Sequence, residues 1–198
     1  RDNNKNKDTL NNVLTTKQFV VNLVTEDVVE AMNASSASVA PEVDEFELVG
    51  VTPIPSEKIK PMRVKESPVQ LECKVFELKE IGNCNLVMCE IIKIHIDESV
   101  LNEHNLIDQQ KIDLVARMGG NWYCRAHGDA LFEIEKPITT IGVGFDNIPA
   151  NIKSSTVLTG NNLGQLGNIE VLPTNEEVVE YTKTISKTFG NETEKHHY

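Results

Sequence analysis

The sequence predicts an α+β chain built on an antiparallel sheet or barrel, and three observations lead there. Val69 to Ile81 and Asn85 to Asp97 are rich in Val, Ile, Leu and Phe and are separated by Gly82-Asn83-Cys84, which marks a long hairpin. Segments on either side place apolar residues three and four apart, as helices with one buried face do. The 198 residues, 39% apolar and 25% charged, suit one globular domain, or one with an appendage, and can bury a substantial core.

Taken in order, residues 8 to 16 read as a short helix, with Leu10, Val13 and Leu14 on its apolar side. A strand over 18 to 24 follows at once. Thr25 is placed to cap a second helix over 26 to 33, whose buried face is Val28, Val29 and Met32. Ser35 to Pro68 holds Pro41, Pro53, Pro55, Pro61 and Pro68 with no sustained period, which predicts a long ordered loop with short strands. After the hairpin, Asp108 is placed to cap a helix through Lys111, Ile112, Leu114 and Val115, stopped by Gly119-Gly120. Trp122 to Ala126 and Ala130 to Ile134 return as short strands.

The character changes beyond about residue 135, which divides the chain into a domain over 1 to 135 and a C-terminal extension over 136 to 198. Residues 137 to 172 mix glycine with asparagine and read as mostly irregular, with a short helix near Ile148 to Ser154. Gly160 to Gly167 lacks the G-x-G-x-x-G spacing and reads as a turn-rich surface loop. A final helix fits Asn175 to Lys187, with Thr174 and Glu177 at capping-box spacing. The polar end past Thr188, with His196 and His197, reads as frayed.

Two clusters carry the candidate chemistry, one at each end of the first strand. Asp8 or Thr9 can cap a helix whose backbone N–H groups and positive dipole end suit an anion such as phosphate, and Lys7 adds a full charge beside them. Asn33, Ala34, Ser35 and Ser36 close the second helix with small hydrogen-bonding groups. From the residues alone, both are also what an ordinary helix start and a polar helix exit look like. His95, between Ile94 and Ile96, is either a plain barrel residue or a site residue. Arg117, Gly119, Gly120 and Tyr123 fit a helix stop with an aromatic anchor, or a place where backbone, charge and ring approach a ligand.

These clusters, with Val43-Asp44-Glu45-Phe46-Glu47, Lys60-Pro61-Met62-Arg63-Val64, Ser67 to Cys73, Ile94 to Asp97 and Ala116 to Arg125, resemble in one order the flavin reductase-like family. The resemblance implies the FMN-binding split-barrel fold and a homodimer holding FMN near its subunit interface. It implies an oxidoreductase in which NADH or NADPH is a transient hydride donor and the acceptor is free flavin, a monooxygenase or another partner. On that resemblance Lys7, Asp8 and Thr9 would hold the phosphate or ribityl end, and Asn33 to Ser36 the ribityl or ring edge. Arg117, Gly119 and Gly120 would join the cofactor site, and His95 or Tyr123 would face the hydride donor. A binding or interaction module that keeps the fold without turnover is the alternative. Members of the family begin with several barrel strands before the Lys-Asp-Thr helix, whereas this chain begins at Arg1, so part of the flavin site is expected outside it.

Composition narrows the remaining classes. Nineteen basic against thirty acidic residues give a net charge of −11, the wrong sign for a nucleic-acid footprint. No apolar run approaches the ~20 residues needed to span a bilayer, and no signal segment opens the chain. Cys73, Cys84, Cys89 and Cys124 have no Cys-x-x-Cys spacing, and Cys124 with His127 makes at most half a metal site, so free buried thiols in a reducing cytoplasm and no metal are expected. No nucleophile elbow, P-loop or paired metal-binding histidine occurs.

Overall fold

The computed structural model describes residues 7–134, 136 and 141–189. Two compact units divide the chain, Arg1–Phe132 and Glu133–Tyr198. In the first, α1 (Asp8–Thr16) turns through Lys17, held left-handed at φ 56°, into β1 (Gln18–Asn22). A 3₁₀ turn (Glu26–Val28) leads into α2 (Val29–Ser35), and α3 (Glu45–Val49), β2 (Pro53–Ile54) and β3 (Arg63–Val64) lie in the proline-rich stretch. Of these short elements α3 went unforeseen: Asp44 caps it by accepting from the Phe46 N–H at 2.9 Å, and Gly50 ends it at φ 72°. Thr25 stands at the entry of the second helical segment but makes no capping bond with its side chain.

The expected hairpin is β4 (Val69–Ile81) and β5 (Cys84–Ile96), turned at Gly82-Asn83. Strand β1 lies on its other side, giving an antiparallel sheet in the order β1-β4-β5. Two bulges interrupt the β4–β5 ladder, because Ile92 and Phe76 have no directly paired partner. Val69 at the hairpin base packs with Val100 and Ile112 and, around them, Leu23, Leu71, Ile107 and Leu114. The tip stands clear of that core, with Phe76, Ile81 and Leu86 exposed.

Leu114–Gly119 is strand β6 rather than the end of a helix, paired antiparallel with β7 (Trp122–Ala126). Asp108 caps only a turn, accepting from the Gln110 and Lys111 N–H groups, and Asp113 then takes a positive φ of 49°, which no helix accommodates. Thr25 bridges to Leu114, so the β6–β7 hairpin is tied to the segment that follows β1. Residues 130–134 form no strand; a 3₁₀ turn at Gly128–Ala130 gives way to irregular chain. The three sheets do not close into a barrel among the described residues.

In the second unit α4 is Ala150–Lys153, and the glycine-rich stretch is helix α5 (Gly160–Gly167) rather than a loop. A reciprocal Thr159 and Asn162 capping box starts it, which outweighs the helix-weakening glycines. Gly142 packs where a Cβ would collide with the backbone of Gly167 and Asn168. The closing helix α6 (Asn175–Phe189) has the foreseen capping box, the Thr174 N–H donating to Glu177 at 2.7 Å. The segment bearing His196 and His197 lies outside the described residues. No helix among the described residues is long and apolar enough to cross a membrane.

Candidate functional site

Lys7, not Asp8 or Thr9, occupies the cap position of α1. Its backbone is extended, its carbonyl accepts from the Leu10 and Asn11 N–H groups at 2.9 and 3.2 Å, and its side chain makes no capping hydrogen bond. Asp8 is therefore the first helical residue and Thr9 the second, both exposed. The Asp8 and Thr9 N–H groups, which the Lys7 side chain does not cap, have the polarity an anion needs, and Lys7 supplies charge.

The Asn33 to Ser36 corner is more self-contained than the sequence suggests. Ser35 Oγ donates to the Met32 carbonyl at 2.8 Å and Ser36 Oγ to that of Asn33 at 2.7 Å, so both hydroxyl protons turn back on α2. The Ala34 carbonyl accepts from the Ala37 N–H. Ser35 borders an apolar hollow of about 260 Å³ formed by β1, α2 and α3, with Val28, Met32, Phe46 and Val49 in its wall. Asn33 faces a polar hollow of about 370 Å³ with Glu26, Glu30, Asn121, Tyr123 and Arg125. Lys7, Asp8 and Thr9 line neither of these two, so the helix start and the Asn-Ser corner do not share either hollow.

The residues read as a helix stop instead form the β6–β7 turn and meet the corner. Gly119 and Gly120 carry φ of 139° and 54°, conformations that L side chains rarely adopt. The Arg117 guanidinium lies 5.8 Å from the Tyr123 ring centroid and donates to the Gly120 carbonyl at 2.9 Å. Tyr123 Oη in turn donates to Asn33 Oδ1 at 3.4 Å, joining two clusters ninety residues apart in the chain. Arg125 beside it forms a two-pronged ion pair with Glu26 at 2.7 and 2.8 Å, which holds its guanidinium above the ordinary value.

His95 belongs to a different constellation. Its Nε2 is 2.6 Å from Glu72 Oε1, and its Nδ1 is 3.8 Å from Glu57, which also pairs with Lys93 at 3.2 Å. Glu72 is fully buried and accepts from the Glu57 and Lys58 backbone N–H groups at 2.8 and 2.7 Å. Burial alone would raise its pKa, but those two donors and His95 hold it down at about 2. The sequence reading missed Glu72, although an acid set between Leu71 and Cys73 in a predicted strand is itself a signal of a partnered buried charge. It also missed Arg125 with Glu26, whose partners are far apart in the chain, and the pairing of His127 Nδ1 with Asp113.

Of the four cysteines only Cys73 is buried; Cys84, Cys89 and Cys124 are exposed and all are free thiols. The expectation of buried thiols fails for those three because they lie toward the uncovered part of the hairpin or on β7. Among the described residues no three His, Cys, Asp or Glu side chains are grouped to hold a metal.

An antiparallel α+β chain with a cation-flanked helix start is a scaffold suited to a phosphorylated ligand. Residues 3–113 match the model of the flavin reductase like domain, and the chain belongs to that flavin-binding family. It is 37% identical over 134 residues to an uncharacterized protein of Aquifex aeolicus (strain VF5), covering 68% of each chain. Among solved structures it is similar to nitrilotriacetate monooxygenase component B from Bacillus cereus, at 28% identity and a TM-score of 0.62 over 68% of each chain. It is also similar to a split barrel domain protein from Shewanella frigidimarina NCIMB 400, described provisionally as a flavin reductase, at 28% identity and 0.58 over 65% of each chain. The chain thus spans about two thirds of the length of these relatives.

Proposed function

We propose that this chain is an FMN-dependent flavin reductase of split-barrel type. The observation that carries the reading is the match of residues 3–113 to the flavin reductase like domain. Bound FMN would supply the redox chemistry that links oxidation of NADH or NADPH to reduction of free flavin, a monooxygenase or another acceptor. Lys7 and the first-turn N–H groups of α1 suit its phosphate, with Asp8 and Thr9 completing that turn. Asn33 offers an amide, and Ser35 and Ser36, whose hydroxyl protons are already donated, offer oxygen acceptors to the ribityl or ring edge. Arg117, Gly119, Gly120 and Tyr123 form a cationic, aromatic wall beside Asn33. In this reading His95 or Tyr123 faces the donor, which needs no nucleotide-binding domain of its own because it docks transiently. A homodimer fits the exposed apolar tip of the β4–β5 hairpin, where a second copy would cover Phe76 and Leu86.

FMN titration followed by flavin absorbance tests the reading, with steady-state NADH and NADPH oxidation as its second arm. Binding together with turnover above the free-flavin background is expected. Binding without turnover would leave the non-enzymatic module, and a colourless protein that takes up no FMN would remove both. Lys7→Ala with Thr9→Ala should weaken FMN by about 1 to 3 kcal/mol if they make charge-assisted bonds to phosphate.

A further inference from the structure

Cys73 and Cys89 lie on one face of neighbouring strands. In the β4–β5 register Cys73 pairs with Ile91 and Val75 with Cys89, so the two cysteines are diagonal neighbours of adjacent pairs. Bulges at Ile92 on β5 and Phe76 on β4 bracket this short stretch of ladder. A bulge strengthens the local right-handed twist, which swings one diagonal of such a pair together. The Cys73 thiol donates to the Leu71 carbonyl at 3.5 Å, and burial first and the neighbouring Cys89 thiol second push it up to about 11. Their surroundings differ: β4 is the middle strand, where Phe19 of β1 pairs against Cys73 and leaves it 1% exposed, whereas β5 is an edge among the described residues and Cys89 is exposed.

We propose that Cys73 and Cys89 are a peroxide-responsive thiol pair that closes to a cross-strand disulfide. Cys89 is the sulfur that a dissolved oxidant reaches. Its attack on hydrogen peroxide breaks the O–O bond, forms a sulfenic acid and releases one water. The Cys73 sulfur then attacks the Cys89 sulfur, the S–O bond breaks, and the Cys73 proton leaves with the hydroxide as a second water. Two thiols have lost two electrons to one peroxide, and the balance is complete. Because Cys73 stays protonated, this second step is the slow one, so the sulfenic acid persists long enough to be trapped. Disulfide geometry requires the strands to shift slightly toward each other, and a ladder bracketed by bulges is where an antiparallel pair can give. The proposal does not depend on the flavin reading.

The test is peroxide treatment of the Cys84→Ser, Cys124→Ser double variant, followed by tryptic peptide mapping. The expected result is that the peptide 66–74 becomes linked to the peptide 80–93, with loss of both free thiols. Dithiothreitol should reverse the link, and adding Cys89→Ser should abolish it. Fragment-ion mapping and thiol counting of the untouched protein give the same readout should the double variant fold poorly. If Cys89 proceeds to sulfinic or sulfonic acid while Cys73 stays a free thiol, the proposal is overturned. It is equally overturned if Cys73 bridges Cys84, or if the only disulfides join separate chains.

Discussion

The two ends of the β4–β5 hairpin are written in the same residue types and behave differently. At the base, Val69, Gln70, Glu72 and Cys73 are buried, whereas toward the tip Phe76, Ile81 and Leu86 are exposed. The base also carries polar groups with fixed partners: Gln70 binds Arg63, Val64 and Ser67, and Glu72 binds the Glu57 and Lys58 amides and His95. Burial in this strand pair is thus set by what crosses over it, not by its own hydrophobicity. A carboxylate becomes the most enclosed side chain, while a phenylalanine four residues on stays in water.

That contrast is open to direct test. Glu72→Ala should cost about 3 to 5 kcal/mol in urea unfolding, since it empties a fully buried position and leaves two N–H donors and His95 without their acceptor. Wild-type stability of the same magnitude would mean that the base is no more demanding than the tip. In pH dependence the sign follows from a carboxyl held at about 2 in the fold against 4.5 ordinarily. The unfolded chain binds the proton first, so the contribution of Glu72 is whole above about pH 4.5 and is lost as pH falls toward 2. Glu72→Gln should lack that increment, read as a flatter acid limb than wild type between those values. Gly82→Ala, at φ 55° with open space around it, should cost about 1 kcal/mol from backbone strain alone. Phe76→Ser should change chain stability by no more than about 0.5 kcal/mol. A loss of self-association in that last variant, by sedimentation, would support a second copy covering the tip.

The hairpin was legible because long β-branched runs around a Gly-Asn pair leave few alternatives, and α1 and α6 because their apolar spacing is uninterrupted. Leu114 to Gly119 was misread as helical because Asp108, Ile112 and Val115 mimic a capped period. Pairing with Trp122–Ala126, which local spacing cannot register, decides in favour of a strand. Helix α5 was missed for the opposite reason: its glycines hid a Thr159 and Asn162 capping box that was there to be read. For the candidate site, the meeting of Tyr123 with Asn33 depends on a hairpin the sequence reading had as a helix end. The withdrawal of Ser35 and Ser36 protons into their own helix depends on rotamers that no spacing reveals.

The segment from Glu57 to Val64 owes its position to borrowed acceptors. The amides of Glu57, Lys58, Lys60 and Val64 donate to Glu72, Gln18 and Asn22, all side chains of the sheet beneath. Deuterium uptake at those four amides would therefore report rotamer changes in the strands below. The whole strap would loosen through a side chain swinging away, with every strand pairing left intact.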